Sequence, residues 1–256
     1  TNNGTGLAGL VTILGVSLTS LTEPNDAGQI ELVLLAALND WAAGQTANSV
    51  GPSTLDFYTG IQEGDSFLID PASLVENEPM GIPRASFPAE LTCGRLETDT
   101  STFEFGFPVE DFDLPLTLVQ ARFSGELFVR REGFGLTEGT ITGYLTLDYI
   151  VELLREVAAA CASEDPPSFC AGAAMFLDGD PVVVAQDLVI PLLRGADATV
   201  AQDGTVSPGC DAACEASDAD CDCAISVCLV MSSVATPIDG VGEPQEAEIE
   251  LPTPGE

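Results

Sequence analysis

The stretch LPLTLVQARFSGELFVR (residues 114–130), the turn REGFG (131–135) and the returning run LTEGTITGYL (136–145) decide the fold. Along the first arm Ala121, Phe123, Gly125, Leu127 and Val129 share one face. Along the second, Thr137, Gly139, Ile141, Gly143 and Leu145 do so. A period of two on both sides of a Gly-containing turn predicts a β-hairpin. Gly125, Gly139 and Gly143 stand at strand positions, which predicts bulges or the close approach of another element.

Downstream, Thr146 is a natural helix N-cap and Asp148 an acid in the first turn. Ile150, Leu153, Leu154, Val157, Ala158 and Cys161 then recur at helical spacing, predicting a helix over 147–162. Glu164-Asp165-Pro166-Pro167 breaks it, and Cys161 and Cys170 bracket the break, placed for a local disulfide. Two shorter helices are expected at 168–177 and 181–193, with Pro191 kinking or ending the second. A strand is expected at 198–206, a Cys/Asp loop at 207–223, and a strand at 224–234 with Ile225, Val227, Leu229 and Met231 on one face.

Upstream the reading is coarser. Leu7–Leu21 reads as a long buried strand bent at Gly15. Ile30, Val33, Leu34, Ala37, Leu38 and Trp41 fit a helix over 28–43 that Gly44 stops. Short strands at 55–58, 67–69, 87–92 and 103–107 are separated by prolines. The Pro- and Glu-rich tail at 239–256 is expected to lie outside the fold. The fold class is β-rich α+β: an antiparallel sheet or sandwich with a few packed helices, stabilised by disulfides. Residues 1–238 form one domain, or two lobes at 1–112 and 113–238.

Charge narrows the function. Among 256 residues, 41 are acidic and seven basic, all of them Arg, for a net charge of -34. Such a surface repels nucleic acid and anionic lipid headgroups, so neither is expected as a partner. Self-repulsion also opposes compactness until salt screens it. No stretch is long and apolar enough for a transmembrane helix. The polar start, TNNGTG, reads as a mature N-terminus after processing and suits the tether of a bacterial lipoprotein.

Cysteine usage points to an oxidising compartment. Cys93, Cys161, Cys170, Cys210, Cys214, Cys221, Cys223 and Cys228 make an even set, five of them within nineteen residues. Their spacings match no zinc pattern and the chain has no His, so disulfides are the expected use of all eight.

Without His there is no Ser-His-Asp triad and no Cys-His pair; without Lys there is no Schiff base or P-loop lysine. Paired carboxylates remain open to a glycosidase-like hydrolase, but no pair is marked among the acids. Calcium is the candidate cofactor, because hard oxygen ligands abound. Asp218, Asp220 and Asp222 have the D-x-D-x-D spacing, with Asp211 or Glu215 as helpers. Cys223 at the sixth position and Leu229 at the twelfth rule out an EF-hand. The competing reading is a solvated acidic loop held by disulfides. Asp178-Gly179-Asp180 is a weaker candidate that first reads as a turn. Arg130-Arg131 is a rare basic spot, expected to pair with Glu126, Glu132 or Glu138.

Leu114-Pro115-Leu116, Ala121–Gly125, Gly139–Leu145, Asp218-Ala219-Asp220 and Ala224–Val227 together resemble uncharacterised exported lipoproteins of myxobacteria and related bacteria. The resemblance spans residues 113–238. It implies an extracellular or cell-surface location and carries no activity.

The expectation is therefore a non-enzymatic extracytoplasmic structural or interaction protein, a subunit of a surface assembly. Its partner would be a second copy, giving a homo-oligomer, or another envelope protein. Leu7–Leu21 could add as a strand to a neighbour's sheet or lie in its own. The alternatives are a calcium-dependent module for a glycan or envelope partner, and a carboxylate-based hydrolase.

Overall fold

The computed structural model describes residues 24–25, 28, 30, 32–40, 50–64, 66–75, 81–109, 112–130, 133–163, 166–167, 169–177, 179–192, 195–210, 214 and 220–243. The predicted hairpin is its spine. Strand β7 (Phe112–Arg130) runs antiparallel to β8 (Gly133–Thr146), with Phe123 opposite Ile141 and Val129 opposite Phe134. The register shifts between Val119 and Arg122, where Gln120 takes a φ of 51°. Gly143 is required at this bulge. A Cβ on it would lie 3.2 Å from the Leu118 side chain and 3.3 Å from the Ala121 backbone.

Around this spine stand β1 (Val33–Asn39), β2 (Gly51–Glu63), β3 (Ser66–Ile69), β4 (Ala85–Thr92), β5 (Arg95–Thr98) and β6 (Ser101–Val109). Beyond β8 follow β9 (Ala198–Ala201), β10 (Val206–Pro208), β11 (Cys221–Met231) and β12 (Ile238–Val241). They form one sheet in the order β10-β9-β11-β8-β7-β5-β4-β2-β3-β12, antiparallel except for β12 on β3. Strand β1 pairs with β2 on the side away from β4, and β6 continues the β5 side of β7. The expected β-rich α+β architecture with an antiparallel sheet is what the chain adopts.

The sheet curls so that β6 faces β2 and β4. Phe57, Phe87 and Phe103 converge on Phe123, at centroid distances of 4.0, 4.8 and 5.1 Å. Offset stacking and edge-to-face contacts of this kind exceed simple area burial by about 0.5–1.5 kcal/mol per pair. Thr98 fixes the backbone at Phe123: its buried hydroxyl accepts the Phe123 N–H at 2.9 Å.

Helix α1 (Leu147–Cys161) begins as its sequence predicts. Thr146 is the N-cap and its hydroxyl accepts from the Tyr149 amide. The helix joins two cores. Leu153 and Val157 pack on the Phe cluster. Leu147, Ile150 and Val151 pack on a smaller one with Ile225, Val184 and Val189. Helix α2 (Cys170–Leu177) follows, then a run made of α3 (Pro181–Val184), a π-helical segment (Ala185–Val189) and α4 (Ile190–Leu192). Pro191 has no N–H to give to the i−4 carbonyl, so a wider turn precedes it, and the Ile190 amide reaches back to the Ala185 carbonyl.

Several expectations are corrected. The helix predicted over 28–43 is strand β1 from Val33 to Asn39. Its continuous apolar run satisfies both periods, and pairing with β2 decides between them. The strand predicted at 198–206 is the hairpin β9–β10, turning at Gly204 with φ 82°. The strand predicted at 224–234 is β11, which runs from Cys221 to Met231. The tail expected outside the fold from Asp239 contributes β12. The long strand expected at Leu7–Leu21 lies outside the described residues.

Three disulfides form: Cys161–Cys170, the expected local bridge, Cys210–Cys223 and Cys214–Cys221. The expectation that all eight cysteines pair is corrected, because Cys93 and Cys228 are thiols. Cys93 is exposed at the tip of the β4–β5 turn, and Cys228 lies on β11 opposite Thr142, with β8 and β7 between it and β5.

Candidate binding cleft

Strand β1 is chemically unusual for its place. VLLAALN contains no charge and no proline, and among the described residues no strand pairs with its second edge. Edge strands in soluble proteins normally carry charges, prolines or bulges that block further pairing. Both faces of β1 are apolar. Leu32, just before it, with Ala36 and Leu38, packs on the Phe core. Val33 and Leu35 are buried on the other face, over Gly60. Gly60 is required there: a Cβ would come within 2.6 Å of Val33 and 2.9 Å of Leu35.

The end of β1 is pinned by polar groups. The carboxylate of Asp56 is buried, accepting from Asn39 Nδ2 at 2.5 Å and from the Ser86 hydroxyl at 2.6 Å. The Ser53 hydroxyl donates to the Asn39 carbonyl. Asp56 thus ties β1 and β4 to β2. Burial raises the pKa of the Tyr58 phenol, and the Asp56 carboxylate adds to the rise. Before β1, Gly28 N–H donates to the Asn25 carbonyl at 2.8 Å, closing a turn. Gln62 holds that turn, accepting from Ile30 N–H at 2.9 Å.

Beside β1 opens a cleft of about 1230 Å³. Its apolar wall includes Leu32, Leu34, Phe57, Phe103 and Phe105, and the last turns of α1 supply Ala159 and Ala160. Charged groups on it are Asp70, Arg84, Glu104 and Glu156. Arg84 Nε donates to the Leu74 carbonyl, and the Asp70 carboxylate accepts from Ala72 N–H. The described residues form three ion pairs, Arg95–Glu97, Arg122–Glu97 and Arg155–Glu152, so neither Glu104 nor Glu156 belongs to one. The Tyr149 hydroxyl donates to the Pro115 carbonyl and clamps α1 to β7 along this cleft. Burial raises the Tyr149 pKa far above its ordinary value.

No family model matches the chain. No curated protein and no solved structure shows significant similarity to it either.

The sequence candidates fall elsewhere. Asp211, Glu215 and Asp218 lie outside the described residues. Asp220 is exposed just before β11, and Asp222 sits on β11. Asp222 accepts the Asp148 N–H at 2.9 Å, so it helps cap α1. Among the described residues no group of three or more Cys, Asp or Glu is placed to hold a metal ion. Asp180 caps α3 by accepting from Val182 N–H at 2.9 Å. Arg130 stacks over the Phe128 ring, 5.4 Å from its centroid. None of the described sequence candidates lines the cleft. The one signal that points to it is the uncharged run before Asn39, which helical spacing concealed.

Desolvation raises the pKa of Asp222, with the Asp148 carboxylate as a further cause. A carboxyl whose folded pKa is raised stabilises the fold below its unfolded pKa, and that contribution is lost as pH rises through the folded value. Asp222→Asn keeps an acceptor for Asp148 N–H and removes the charge. The variant should be more stable than wild type at pH 7, and the difference should vanish near pH 3. Thermal melts across that range measure it.

Proposed function

We propose that the protein is a non-enzymatic extracytoplasmic interaction protein that takes an extended segment of a partner along the edge of β1 turned away from β2, which no described strand covers. The partner is another envelope protein or a second copy. The observation that carries this reading is the uncharged edge of Val33–Asn39 beside an apolar cleft. An added strand satisfies edge N–H and C=O groups, and alternate side chains enter the cleft. The three disulfides support the compartment, since such bridges persist where no reducing pool removes them.

Light scattering tests whether copies use this edge. At low salt the net charge of -34 keeps the wild type monomeric. If copies use this edge, association through β1 appears in molar salt with rising concentration and is abolished by Leu34→Lys, which puts a charge on the cleft wall. A salt-insensitive oligomer that Leu34→Lys leaves intact would place the contact elsewhere. A monomer throughout leaves the other envelope protein as the partner.

A further inference from the structure

We propose that the occupant of this cleft is an apolar, strand-forming segment of another protein, flanked by Lys or Arg, rather than a second copy of this chain. The inference rests on the binding function proposed for β1 and names the chemistry of what binds.

Two independent features select that chemistry. The edge and floor select for apolar character. Val33–Asn39 offers no charge to a paired strand, and Leu32, Leu34 and Ile61, all partly or fully exposed on the cleft, offer apolar contact to its inward side chains. The rim selects for positive flanks. Glu104 on β6 and Glu156 on α1 stand on the cleft with no cation paired to either among the described residues. Asp70 adds a third carboxylate, and Arg84, the one cation among the described lining residues, already donates to the Leu74 carbonyl. An incoming segment with cationic ends gains attraction from each rim carboxylate. A second copy meets the opposite situation, because the whole chain carries 41 acids, seven Arg and no Lys. Complementary charge governs the on-rate and partner choice more than total affinity. Discrimination should therefore appear as a salt-dependent preference for basic flanks, set on top of an apolar contact that salt does not weaken.

The test uses three fluorescent peptides with the full chain. The first alternates Val and Thr with a pair of Lys at each end. The second has the same centre with Glu ends. The third is residues 7–21 of this chain. Anisotropy titrations at low and high salt should show binding of the Lys-ended peptide, weakening as salt rises, and no binding of the Glu-ended one. The double variant Glu104→Gln/Glu156→Gln should weaken the Lys-ended peptide by about 3- to 10-fold and flatten its salt dependence, the range expected for two exposed ion pairs. Both positions are exposed, so the variant keeps the fold, and circular dichroism verifies this. Leu34→Lys should weaken the Lys-ended peptide more than the double variant does.

Equal binding of the Lys- and Glu-ended peptides, both lost in Leu34→Lys, would overturn the charge selection and leave the edge-binding function standing. Binding of the 7–21 peptide alone would overturn the choice of partner. Failure of all three peptides would overturn both.

Discussion

Phe123→Ala is expected to lower the free energy of unfolding by about 3–5 kcal/mol, as truncation of a fully buried aromatic does when its cavity cannot collapse. Phe123 has no exposed surface and touches Phe57, Phe87 and Phe103, so β2, β4 and β6 lose a common partner. The neighbours cannot fill the gap. Phe57 is held by β2 pairing on both sides, and Thr98 fixes the β7 backbone at this residue. For a domain whose whole stability is on the order of 5–15 kcal/mol, this is a large fraction. Urea titration followed by circular dichroism reads the loss as a lower midpoint at unchanged slope. Val230→Ala, at a residue 79% exposed on β11, is the control and should stay within about 0.5 kcal/mol of wild type. Equal effects at the two positions would mean that the Phe cluster does not organise the sheet.

Loss of the two nested bridges is the second large effect. Cys210–Cys223 and Cys214–Cys221 close loops of sequence separation 13 and 7, the second inside the first. Chain-entropy arguments give about 2–3 kcal/mol for each loop taken alone, and less for the inner one once the outer is closed. The variant Cys210→Ser/Cys214→Ser is therefore expected to lose about 3–5 kcal/mol. Part of that loss is local. Cys214 and Cys223 are buried in the smaller core with Ile225 and Val184, next to the start of α1. Thiol titration of the unfolded wild type, without reductant, should find two thiols per chain, from Cys93 and Cys228. A count of zero would restore a fourth bridge and contradict the pairing described.

The hairpin and α1 were readable from the sequence because local signals agree there. Alternation from Ala121 to Val129, the return through Ile141 and Leu145, and a Thr cap at 146 all act over a few residues. The Cys161–Cys170 bridge was readable for the same reason, since it spans one break. Strand β1 is not legible in the sequence because an unbroken apolar run fits a buried helix as well as a strand, and only pairing with β2 resolves it. The cleft was not readable at all. Its wall combines Leu34, Phe57, Phe103 and Ala159, which meet only after the sheet has curled and α1 has docked. The acids that drew notice in sequence, Asp220 and Asp222, stand apart from it on the β11 side. Among 41 acids, spacing alone marked the D-x-D-x-D run, while Glu104 and Glu156 carry no motif.

Amide hydrogen exchange over β1 tests the central claim most directly. The edge turned away from β2 should leave alternate amides of Val33–Asn39 open, exchanging far faster than those of Ile141 and Leu145 on β8, which is paired on both sides. Adding the Lys-ended peptide should slow these β1 amides and leave β8 unchanged. Protection of β1 in the free protein equal to that of β8, with no change on adding peptide, would contradict the account: the edge would already be occupied.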